Sequence, residues 1–156
     1  MKMLFKAQEM PYNNGARNFL FIDVPPMQRS PLGSVSGTPL IVPQLSPTLK
    51  VTPITSWAVF RKRNGDPYEG WNTELKKSVG LFEEAHPDAT VFIFSSWILF
   101  TTVLDDPVQY GFKEEDRSKN RGGIWVDRLH PTTKMHEIIA KGIVEYLKSV
   151  SPGDTK

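Results

Sequence analysis

The sequence predicts an α/β fold, and three observations carry that expectation. Two short apolar runs, Asn18-Phe19-Leu20-Phe21-Ile22-Asp23-Val24 and Ala89-Thr90-Val91-Phe92-Ile93-Phe94, flank an amphipathic helical segment, and a longer amphipathic segment follows near the end of the chain. Runs that stay apolar instead of alternating suit parallel strands covered on both faces by helices. Strand, helix and strand in that order make a right-handed crossover unit the simplest topology.

Residues 3–12 read as a short helix with Gly15 as its stop. The first strand follows and ends at Pro25-Pro26. From Trp71 to His86, Trp71, Leu75, Val79 and Phe82 recur at helical spacing, with Glu74, Lys76, Lys77 and Glu83 on the wet side. After the second strand, Trp97 to Leu104 fits a short helix halted before Pro107, and a charged, glycine-bearing loop runs from Tyr110 to Gly123. The last helix starts at Thr132 or Thr133. Its Met135, Ile138, Ile139, Gly142, Ile143, Tyr146, Leu147 and Val150 form one stripe that should pack on the sheet. Residues 32–67 break the pattern, being crowded with Pro, Ser, Thr and Gly and longer than connections in compact domains. They are expected to be an irregular insertion in one domain spanning residues 1–156.

Bulk properties narrow the function classes. A chain of 156 residues suits one core. With 19 basic and 17 acidic residues, its net charge of +2 argues for neither nucleic acid nor an anionic membrane as partner. It has no cysteine, so disulfides, thiolate metal sites and a cysteine nucleophile are excluded. Residues 1–9 show no export signal, and no segment approaches the roughly 20 apolar residues of a spanning helix.

The chemistry concentrates in Trp125-Val126-Asp127-Arg128-Leu129-His130-Pro131-Thr132. A carboxylate three residues from a histidine can hold the imidazole through Nδ1–H and leave Nε2 to act as a base. Pro131 biases His130 toward extended backbone just ahead of the helix. Taken alone, an Asp-x-x-His spacing is better read as a helix cap or a surface hydrogen bond.

Other candidates have plainer readings. His136-Glu137-Ile138-Ile139-Ala140 puts Ala140 where a zinc-binding helix needs its second histidine. His86 at a helix end suits capping, Arg61-Lys62-Arg63 suits solvation, and Asp105-Asp106 before Pro107 suits a helix-end turn. Trp57, Trp71, Trp97 and Trp125 could stack on sugars, yet three of them lie on expected core elements, where packing is the default.

Gly15-Ala16-Arg17-Asn18-Phe19-Leu20-Phe21-Ile22-Asp23-Val24-Pro25-Pro26, then Trp71-Asn72, then Val103-Leu104-Asp105-Asp106-Pro107 with Tyr110-Gly111-Phe112, and finally the Trp125 to Thr132 block resemble, in their order, the fungal SGNH/GDSL ester hydrolases. More narrowly they resemble the acetylesterases of carbohydrate esterase family 16, over residues 1–31 and 68–150. The resemblance implies a flavodoxin-like three-layer α/β/α sandwich with a mainly parallel sheet, present here without its first strands. It implies that Asp127 orients and that His130 is general base and then acid, acting without cofactor or metal on a carboxylic ester, acetylated carbohydrate in particular.

The family's Gly-Asp-Ser nucleophile block, and the glycine and asparagine that complete its oxyanion hole, would precede everything seen here. Gly33-Ser34-Val35-Ser36-Gly37 lacks the spacing of a nucleophile elbow, while Gly65-Asp66-Pro67 and Gly153-Asp154-Thr155 lack the serine. Ser95-Ser96 ends a strand, where a structural role is the better reading. The expectation is therefore an esterase lineage whose chain is inactive alone. One reading is a truncated gene product in which residues 32–67 are translated intron; the alternatives are a non-catalytic carbohydrate-binding paralogue or an interaction module. Family members are commonly secreted. The strand at Phe19 to Val24 would become a sheet edge with bare apolar faces, open to self-association and aggregation.

Overall fold

The computed structural model of the protein describes residues 1–34 and 66–150. In order they form α1 (Lys2–Asn13), β1 (Asn18–Ile22), α2 (Pro67–Ala85), β2 (Thr90–Phe94), α3 (Ser96–Asp105) and α4 (Thr133–Ser149), with single turns of tighter helix at Met27–Arg29, Val108–Tyr110 and Glu114–Arg117. The two strands pair in parallel, Asn18 opposite Thr90 through Ile22 opposite Phe94. This is a partial α/β fold around a small parallel sheet.

One face of the sheet is closed. Phe19, Phe21 and Val91 pack with Leu75, Val79 and Phe82 of α2, and Phe5 of α1 stacks on Phe21 with ring centres 5.2 Å apart. Polar contacts pin α1 there: Tyr12 donates to Asp88 at 2.5 Å, Arg17 pairs with the same carboxylate at 2.6 Å, and His86 meets Glu9 at 3.2 Å. His86 does sit at the end of α2, buried, with its Nδ1 on the Phe82 carbonyl.

The other face is covered under β2 only. Phe94 meets Tyr146 of α4 at 5.8 Å, and a side chain at Gly142 would press on Leu99 and Phe94. A second core lies beside it, where Phe100, Val103 and Leu104 of α3 close on Phe112, Ile124, Trp125 and Met135.

The structure corrects four expectations. The apolar run of β1 suits cover on both faces and the resemblance implied bare faces, but one face is covered and the other open: Phe19 and Phe21 are buried while Leu20 and Ile22 are 37% and 46% exposed. The α4 stripe packs only in part, with Met135 buried and Leu147 exposed. Helix α2 starts at Pro67, not Trp71, because Asp66 caps it by accepting from Tyr68 N–H and Pro67 takes the first helical position. Trp71 accordingly sits at the rim of its helix, 45% exposed, and Asn72 takes the buried place in that turn. The proposed insertion also gives up its start, since Leu32, Gly33 and Ser34 form a packed turn in which Ser30 Oγ accepts from Gly33 N–H and Arg128 O accepts from Leu32 N–H. Residues 35–65 and 151–156, with Trp57, Arg61-Lys62-Arg63, most of the Gly33 to Gly37 motif, Gly65 and Gly153-Asp154-Thr155, lie outside the described residues.

Candidate active site

Asp127 and His130 are brought together on a tight hairpin between the second core and α4. Trp125 and Pro131 form its antiparallel bridge, Val126 N–H donates to His130 O at 2.8 Å, and Thr132 N–H donates to Ile124 O at 2.8 Å. Within it the two oxygens of Asp127 have separate work. Oδ1 accepts from the backbone N–H of Leu129 and of His130, both at 2.7 Å, which fixes the turn. Oδ2 lies 2.7 Å from His130 Nδ1. The backbone N–H of His130, then its ring, then the N–H of Leu129 hold the Asp127 carboxyl down at about 2. An ionised carboxylate can only accept, so Nδ1 carries a proton and Nε2 is the ring nitrogen left to exchange one with a reacting group. Nε2 has no hydrogen-bond partner among the described residues, and the His130 side chain is 72% exposed. The arrangement is an oriented base open to a reacting group.

The hairpin is held from below. Trp125 is fully buried, donates its indole N–H to Arg117 O at 3.0 Å and packs near Phe100. Buried Asp116 accepts from Gly123 N–H at 2.8 Å and from Lys113 N–H at 2.9 Å, and those bonds, Gly123's first, lower its pKa. A Cβ at Gly122 would stand 2.7 Å from one Asp116 oxygen and at Gly123 2.5 Å from the other, so the approach requires glycine at both. Thr132 closes the frame, donating to Gly123 O at 2.6 Å and capping α4 by accepting from Met135 N–H at 3.3 Å. From the other side Arg29 pairs with Asp105 at 2.7 Å.

Asp116 was not singled out in the sequence, and Asn72 entered only with Trp71 as a block of the resemblance. The glycine pair immediately ahead of Ile124-Trp125 was the available signal for Asp116, since adjacent glycines before an apolar pair mark a close backbone approach. Asn72 gave no comparable signal. Its side-chain amide makes two hydrogen bonds with the backbone of Val24, accepting from N–H and donating to O, each at 2.8 Å.

The remaining candidates resolve into structure. Ser95 caps α3 and donates to Asp23 Oδ2 at 2.6 Å; Ser96 donates to the same buried aspartate, whose Oδ1 also accepts from Trp97 N–H at 2.8 Å. Neither serine is hydrogen-bonded to a histidine. They line, or lie beside, a cleft of about 290 Å³ at the carboxyl ends of the strands, bounded by Asp23, Asn72, Lys76 and Trp97, which does not include the hairpin. Asp105 ends α3 in its pair with Arg29, and Asp106 accepts from Gln109 N–H at 3.3 Å in the turn that follows. His136 and Glu137 are exposed on α4.

Comparison with known proteins supports an ester-hydrolase lineage. Over 150 residues the chain is 24% identical to an acetylesterase from Thermothelomyces thermophilus. It is a distant relative of an acetylesterase. The alignment takes in 95% of this chain and 43% of the acetylesterase, so the chain spans less than half the length of the curated relative it matches. No family model matches the chain, and no solved structure does. No helix among the described residues is long and apolar enough to cross a membrane.

Proposed function

We propose that the hairpin is the acid–base part of an SGNH-type ester hydrolase site acting on acetyl groups carried by carbohydrate, and that its serine nucleophile comes from outside this chain. The observation that supports this best is the Asp127 Oδ2 to His130 Nδ1 contact at 2.7 Å with Nε2 left open, in a chain related to an acetylesterase. In that reading Nε2 takes the serine proton as Oγ attacks the acetyl carbonyl, and returns it to the departing sugar hydroxyl. Water then attacks the acyl-serine with His130 as base. Asp127 holds the tautomer throughout and stabilises the imidazolium that forms. Loss of a triad member lowers kcat by orders of magnitude, so the chain alone is inactive.

The test is hydrolysis of p-nitrophenyl acetate by the purified chain, together with fluorophosphonate labelling and peptide mass spectrometry. The expected result is no turnover above a His130→Ala control and no labelled serine. A serine labelled stoichiometrically and only when His130 is intact would overturn the claim that the nucleophile is external.

A further inference from the structure

The cleft of about 290 Å³ at the carboxyl ends of the strands lies between the first half of α2 and the start of α3. Its floor is fixed, and the polar groups there are spent on one another. Buried Asp23 accepts from Ser95 Oγ–H at 2.6 Å and from Trp97 N–H at 2.8 Å, while Ser95 Oγ accepts from Ile98 N–H at 3.2 Å. The Asn72 amide is taken up by the backbone of Val24, and Thr73 donates to Glu69 O at 2.9 Å. The walls are the opposite case. Glu69 and Lys76 lie seven residues apart on one face of α2, about 10 Å along its axis, and neither side chain has an ion pair or hydrogen bond among the described residues. On the α3 side Trp97 is half-buried, its indole N–H has no partner among the described residues, and exposed Ile98 stands beside it.

These groups restrict what the cleft can hold. An anion meets two carboxylates against one ammonium, and the N-terminus of α3, which would otherwise attract it, is already filled by Asp23 and Ser95. A cation meets a single carboxylate with open oxygens, Glu69, and an ammonium on the same wall. No group of three metal-ligating side chains is assembled among the described residues. A wholly apolar molecule would strip water from Glu69, Lys76 and the indole N–H and return nothing. What suits the set is a neutral ring with hydroxyl groups at its edge and C–H groups on its face. Glu69 then accepts, Lys76 and the indole N–H donate, and the Trp97 ring covers the C–H face. The volume is at the small end for ligand pockets, which matches one or two such rings.

We propose that this cleft is a binding site for neutral carbohydrate, holding one or two pyranose rings by their hydroxyls at Glu69 and Lys76 and by their C–H face at Trp97. The site is separate from the hairpin. It does not depend on the catalytic reading of Asp127 and His130, and it would stand in a chain that hydrolyses nothing.

The probe is cellobiose, titrated into the full chain and followed by NMR at the Trp97 indole N–H, which is assigned by its loss in Trp97→Phe. Saturable shifts are expected at that resonance and at the backbone amides of residues 69–76 and 95–98. Trp97→Ala should weaken binding about tenfold or more. Glu69→Ala and Lys76→Ala, at exposed positions of α2, should each weaken it about threefold or more, whereas Lys77→Ala, exposed on the same helix but outside the cleft, should not. Circular dichroism establishes that each variant is folded, and the two α2 variants decide the matter if Trp97→Ala is not. Glucuronate, a ring of similar size carrying a carboxylate, should shift none of these resonances. No saturable shift up to the solubility limit of cellobiose, shifts centred elsewhere, equal binding of glucuronate, or unchanged affinity in the cleft variants overturns the proposal. His130→Ala should bind cellobiose as the parent chain does, so this site and the proposed reaction can fail separately.

Discussion

The hairpin core and the sheet core differ in how completely they are closed. Around the hairpin, Val103, Ile124, Trp125 and Met135 are wholly excluded from solvent, and the bonds that join Asp127 to its partners lie within residues 127–130. Around the sheet, Phe19 and Phe21 are buried under two helices while their neighbours Leu20 and Ile22 are open on the reverse face. The first region carries its function on local contacts. The second region leaves one face of β1 open among the described residues.

Trp125→Ala breaks the closed side of the comparison most severely. Truncating a fully buried tryptophan should cost about 3–5 kcal/mol, read as a shift in the denaturation midpoint. An unchanged midpoint would show that the hairpin core is not what holds the fold. Asp116→Asn keeps the shape but removes the charge that two backbone N–H groups face, with a cost of about 1–3 kcal/mol. Its more specific consequence is at His130, whose Nδ1–H resonance should broaden or vanish in a variant that remains folded. A resonance as sharp as in the parent would mean that Asp116 supports the core and not the base.

The acid limb of the pH profile sharpens the same point. Asp127 has a folded-state value of about 2 against an ordinary 3.8, so its contribution to the hairpin is fully present above about 4 and lost as pH falls toward 2. NMR of His130 and its neighbours should show the latch intact at pH 5 and released between about 4 and 2. Release above pH 5 would refute the assignment. At the other extreme, Ile22→Thr on the open face should change stability by no more than about 0.5 kcal/mol in the free chain. A loss of 2 kcal/mol or more would mean that this face is covered.

The sequence made much of this legible, and the reasons it did not make all of it so are physical. The Asp127–His130 pair was readable because its contacts are local: a three-residue spacing is enough to close a turn and seat a ring. Both described strands and the four described helices were legible from period and punctuation. Which face of β1 is covered was not, since an apolar run records what faces of a strand are suited to and not what is present to cover them, and the resemblance implied only that the strand would be bare. The start of α2 was missed because Asp66-Pro67, an effective cap and first turn, adjoins a stretch of similar composition and was absorbed into it. The contacts of Asp116 and Asn72 were missed because their partners, Gly123 and Val24, are backbone groups, which leave no residue-type signature.

Asn72 has a consequence for any strand that joins the sheet. Asp23 N–H donates to Phe94 O, so by strand alternation the peptide groups of Asn18, Leu20, Ile22 and Val24 face the open edge, and the Asn72 amide already occupies those of Val24 with a donor and an acceptor as a neighbouring strand would. The ladder on that side is therefore terminated by a side chain. An incoming strand finds partners at Asn18, Leu20 and Ile22 and none beyond, which fixes its register without any contribution from its own sequence. Removing that stop with Asn72→Ala would turn a single alignment into several.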